Sequence, residues 1–66
     1  MKKYYVIQCL SHPQEGLYLR AMGEGYTEFI KSAGKWPTEE SAVDWINNLS
    51  RDRYYGVIPV YMVPNN

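Results

Sequence analysis

The side chains able to do chemistry in this 66-residue chain are few and mostly alone. Cys9 is its one thiol and His12 its one imidazole. His12 has Ser11 before it and Glu15 after it in "SHPQEG", but Pro13 follows directly and the stretch has the composition of a surface loop rather than of a positioned nucleophile and base. A single His and a single Cys cannot assemble a zinc-type ligand set, and one Cys cannot form an intrachain disulfide. Cys9 ends the run "KYYVIQCL", where a buried and inert thiol is the plain expectation. Glu39 and Glu40 are adjacent, so on a helix they diverge, which suits a helix start better than a general acid and base working as a pair. "GEGY", residues 23–26, lacks the Gly-Lys-Ser/Thr continuation of a phosphate loop and leads into a strand. No catalytic residue, metal ligand or cofactor site is therefore expected, and the chain reads as a non-enzyme.

The elements that would position a binding surface are more legible. Residues 3–10 are β-branched and aromatic at both parities, as in a central strand covered on both sides. "LYLRAM", 17–22, alternates, with Leu17, Leu19 and Ala21 on one side and Tyr18, Arg20 and Met22 on the other. After the turn "GEG", "YTEFIKS", 26–32, reads as a shorter third strand. In "KWPTEESAVDWINNLSR", Thr38 is placed to cap a helix whose stripe is Ala42, Trp45, Ile46 and Leu49, with Asp44, Asn47 and Asn48 opposite. Arg51 and Arg53 follow its last turn, near the negative end of the dipole.

The last run, "YYGVIPVYM", 54–62, carries Pro59 at its middle. A proline cannot donate to a ladder, so this strand is expected at an edge, beside the first strand in the order 3-2-1-4. Its direction is left open, as is a place beside the third strand. The expected architecture is one α+β domain spanning 1–66, β-β-β-α-β, with a mainly antiparallel four-stranded sheet and one helix on one face.

Composition limits the partners. Formal net charge is zero, without the basic excess that phosphate-backbone binding needs. The "MKKYYVIQCL" start has too short an apolar stretch for a signal peptide or a membrane span, so a soluble cytoplasmic protein is expected. Seven tyrosines are expected to furnish the sheet face that one helix cannot cover. Arg51, Arg53, Tyr54, Tyr55 and Tyr61, where guanidinium donors meet aromatic area near the edge strand, are the candidate partner-binding residues. A chain this small, without disulfide or metal, is also expected to gain stability as a homodimer. The alternative is a small nucleic-acid-binding module that stacks bases on the tyrosine-rich face.

The succession "YYVIQ", "GLYLRAMGEGYTEFIKSAGKW", "PTEESAVDWI" and "YGVIPVYMV" resembles small phage-encoded accessory proteins, in which a short β-meander precedes a "T-x-E-x-A" type helix and a last strand. That resemblance implies a stoichiometric inhibitor of a host defence or replication protein, working in the host cytoplasm. It carries no site motif onto this chain.

Overall fold

A computed structural model of the chain describes residues 2–21, 25–49 and 53–62. Its elements run β1 (Lys2–Cys9), β2 (Tyr18–Leu19), β3 (Tyr26–Thr27), a 3-10 turn (Ile30–Ser32), α1 (Glu39–Asn47) and β4 (Tyr55–Met62). The strands form one antiparallel sheet in the order β3-β2-β1-β4, so the fold is α+β with β4 at an edge. Among the described residues no helix is long and apolar enough to cross a membrane.

β1 and β4 carry the sheet. They pair along their whole length, from Lys2 opposite Met62 to Cys9 opposite Tyr55. β2 and β3 are much shorter than the patterns 17–22 and 26–32 suggest. The 3-10 turn occupies the second half of the expected third strand: Phe29 accepts from Ser32 and Ile30 from Ala33, local bonds that take the place of a ladder. Opposite the first half of β1, Trp36 does what a longer β2 would have done. It exchanges two backbone hydrogen bonds with Tyr5, at 2.8 and 2.9 Å.

The helix begins where its cap predicts. The Thr38 hydroxyl accepts from the Ser41 N–H at 3.0 Å, and the Ser41 hydroxyl accepts from the Thr38 N–H, a reciprocal capping box with serine in the place usually held by Glu or Gln. Glu39 and Glu40 lie in its first turn, near the positive end of the dipole. The apolar stripe packs on the sheet: buried Ile7, Leu19 and Ala42 make the core, with Tyr5, Tyr26, Trp36, Trp45, Ile46, Leu49, Tyr55 and Val57 around it. Val6 and Ile7 are adjacent in sequence and both fully buried, so β1 is closed on both faces. At Gly34 a β-carbon would lie 2.9 Å from Cη2 of Trp36 and 3.0 Å from the Ala21 backbone, so only glycine lets the indole settle there.

Candidate interaction surface

Register decides which side chains share a face. Directly opposed residues point the same way, so Tyr5, Ile7 and Cys9 face the helix together with Pro59, Val57 and Tyr55. Tyr4, Val6 and Gln8 face away, with Val60, Ile58 and Gly56. The N–H of Leu10 donates to the Tyr54 carbonyl at 2.8 Å, which continues the same register by one rung. Leu10 leans over Gly56, where an added β-carbon would meet its Cδ1 at 3.4 Å.

The helix-free face is consequently more aliphatic than tyrosine-rich. Along it stand Tyr54, Leu10, Ile58, Val60 and Met62, with Lys2 beside Met62 at one end. Tyr54 is 75% exposed, and Leu10 and Met62 are each 50% exposed. Val6 at its centre is fully buried, so the exposed apolar area belongs to the side chains around it. Two more tyrosines share this face. Tyr4 lies under the Lys35 ammonium, whose Nζ is 5.6 Å from the ring centroid, and Tyr18 stands opposite Gln8 on β2.

This placement narrows the expectation that tyrosines furnish the uncovered face to Tyr4, Tyr18 and Tyr54. Tyr5, Tyr26 and Tyr55 pack against the core on the helix side. The hydroxyls of Tyr26 and Tyr55 are hydrogen-bonded at 3.0 Å, and burial, followed by that bond, pushes the Tyr55 phenol up to about 12. Tyr61 takes the helix-side parity near the end of β4 and is 58% exposed. Its ring centroid lies 5.6 Å from the Lys3 ammonium, which also sits 5.4 Å from that of Tyr5. Hydrogen bonding to Tyr5, with the negative charge of the Tyr5 and Tyr61 side chains once they ionise, raises the Lys3 ammonium above its usual range.

The three candidate tyrosines do not share one face. Tyr54 belongs to the helix-free face, Tyr55 to the core and Tyr61 to the helix side. Tyr54 and Tyr61 are also separated by about 23 Å of extended chain. Arg53 donates to Oε1 of Gln14 and so ties the start of β4 to the loop after β1. Arg51 lies outside the described residues. The strand neighbours of Tyr54 on its own face, half-buried Ile58 and Val60 and exposed Met62, were hidden in the sequence because 54–62 is apolar at both parities.

The remaining reactive groups stay dispersed. The Cys9 thiol is fully buried and donates to the Ser11 carbonyl at 3.3 Å. His12 Nε2 lies 3.3 Å from Glu15 on the open surface of a loop. No group of three His, Cys, Asp or Glu side chains among the described residues could hold a metal ion. A scan against protein-family models, a search of curated proteins and a search of solved structures each found no match for this chain.

Proposed function

We propose that this chain is a non-catalytic protein-binding module whose contact surface is the helix-free face of β1 and β4. The observation that carries the reading is the shared exposure of Tyr54, Leu10 and Met62 along that face, flanking half-buried Ile58 and Val60. A row of apolar side chains about 26 Å long is the kind of surface that marks an interaction site. Lys2 and the Lys35 that overhangs Tyr4 are cations on it, whereas, among the described residues, Glu39, Glu40 and Asp44 lie on α1, across the sheet. An apolar partner surface with an acidic rim complements it. The likeness to phage accessory proteins points to a host defence or replication protein as the target, with inhibition by occupation as the mode of action and the host cytoplasm as the place. Pairing of two copies through the same face would give the homodimer expected of so small a chain.

Nucleic acid is the less favoured partner. Base stacking needs several open aromatic rings in a basic groove, and of the three rings on this face Tyr4 has Lys35 over it and Tyr18 is half-buried, which leaves Tyr54 among aliphatic neighbours.

Affinity capture from a bacterial lysate tests the reading with three baits: the wild type, Leu10→Asp/Met62→Asp, and the helix-face control Asn47→Ala/Asn48→Ala. The wild type and the control should retain the same protein, and the double aspartate should lose it while melting at an unchanged temperature. Retention by the aspartate variant and loss by the control would place the contact on the helix. Captured material that is nuclease-sensitive and released steeply by salt would favour the nucleic-acid reading.

A further inference from the structure

The helix-free face is not open over its whole width. Thr27 stands opposite Tyr18 and Tyr18 opposite Gln8, so all three side chains point to that face. The Thr27 hydroxyl accepts from the Phe29 N–H at 3.1 Å, which turns the chain back toward the same side directly after β3. The 3-10 turn then brings it to Gly34, whose N–H donates to the Leu19 carbonyl at 3.0 Å, and on to Trp36 beside Tyr5. To reach that place from the β3 edge, residues 28–33 cross β2 on the helix-free side. Thr27, Val6 and the Ala33 of the crossing itself are buried.

The result is a step in the surface. Its shoulder is the crossing segment with Lys35, whose ammonium overhangs Tyr4, and its outer side is the free edge of β4. Between them a strip floored by half-buried Ile58 and Val60 runs about 26 Å, from Tyr54 and Leu10 at one end to Met62 and Lys2 at the other. Two strands give this strip a width of about 10 Å. An α-helix with its side chains is about 10–12 Å across, and about 17 residues of it cover the length. A rod seats beside such a shoulder more deeply than a flat surface does, and a partner strand would use the β4 edge instead, where Pro59 withholds a donor. Charge gives the occupant a direction. Lys2 faces Met62, and the Tyr4 under Lys35 faces Val60, so both ammonium groups lie toward one end of the strip. A helix carries its partial negative charge at its C-terminus, and that terminus is the one these lysines complement.

We propose that the protein partner inferred above docks by a single amphipathic helix of about five turns, its apolar stripe on Ile58 and Val60 between Leu10 and Met62, and its acidic C-terminal end by Lys2 and Lys35. This rests on the helix-free face being the contact surface, and it adds the chemistry of what lies there. The experiment titrates the full chain with three synthetic peptides of about 17 residues. The first has leucines at i, i+3 and i+7 spacing and glutamates in its last turn, the second the same residues with the leucines alternating, and the third lysines in place of the glutamates. The first should move the methyl resonances of Leu10, Ile58, Val60 and Met62 saturably and leave that of Ala42 in place. The other two should bind about tenfold or more weakly. Lys2→Glu/Lys35→Glu should invert the preference, binding the lysine-ended peptide better than the acidic one. Equal binding of the helical and alternating patterns, a charge preference that the double variant leaves unchanged, or no shift with any peptide at millimolar concentration would each overturn the docked helix. So would the same shifts on concentrating the chain alone, which give the strip to a second copy. None of these outcomes alters the affinity capture described above, which decides separately whether this face is the contact surface.

Discussion

Tyr5 and Pro59 stand directly opposite one another on β1 and β4, and Tyr5 gives both of its backbone hydrogen-bonding groups to Trp36 on its other side. In an antiparallel ladder hydrogen-bonded and non-bonded rungs alternate, so the Tyr5–Pro59 rung is a non-bonded one. The ring nitrogen of Pro59 therefore faces the free edge, where no ladder hydrogen bond is lost. A proline at mid-strand is compatible with this sheet for that reason.

Pro59→Val restores an N–H on that open edge without disturbing the rung to Tyr5. The variant should keep its fold and its melting temperature to within a few degrees, but associate at concentrations where the wild type does not, as read by light scattering. Loss of the fold instead would mean that residue 59 faces β1.

Tyr54 and Tyr55, neighbours in sequence, should respond oppositely to truncation. Tyr55→Ala removes a ring from the core and the bond to Tyr26, and should cost about 3 kcal/mol in urea unfolding. Tyr54→Ala should stay within about 0.5 kcal/mol, because its ring lies in solvent. Equal losses would contradict the register of β4.

Alkaline pH should weaken the fold by way of Tyr55. Its phenol titrates at about 12 in the folded chain and near 10 when unfolded, so between those values the unfolded state gives up its proton first. The stability Tyr55 contributes is fully present below about pH 10 and is lost as pH rises towards about 12. The urea midpoint should fall across this window, and Tyr26→Phe, which removes the hydrogen-bonding partner, should move the tyrosinate absorbance step to lower pH. A midpoint independent of pH from 10 to 12 would exclude the coupling.

The architecture was largely legible in the residues themselves. Thr38 marked the helix start, the stripe Ala42, Trp45, Ile46 and Leu49 marked its buried side, and Pro59 marked the edge, each through a local rule that tertiary structure did not override. The strand lengths were not, since a chain turn such as Ile30–Ser32 and a lone bridge such as Trp36 to Tyr5 arise from packing that no alternation records. The faces of the candidate tyrosines were not legible for a different reason. The face on which Tyr55 lies depends on which side of the sheet the helix takes between β3 and β4. Those strands run antiparallel, so the right-handed crossover preference that governs parallel pairs does not apply. With both parities of 54–62 apolar, Tyr55 looked as suited to solvent as Ile58.

The pairing of β1 with β4 has a consequence in time. The strand made first has its most extensive partner in the strand made last, and no nascent chain that stops short of Tyr55 can satisfy the β4 side of β1. Until then the amides of Tyr4, Val6 and Gln8 must remain with water or with some foreign strand. Folding of this sheet is thus an event that closes the whole chain at once, with a high sequence separation between its contacts and little for a half-synthesised polypeptide to hold on to.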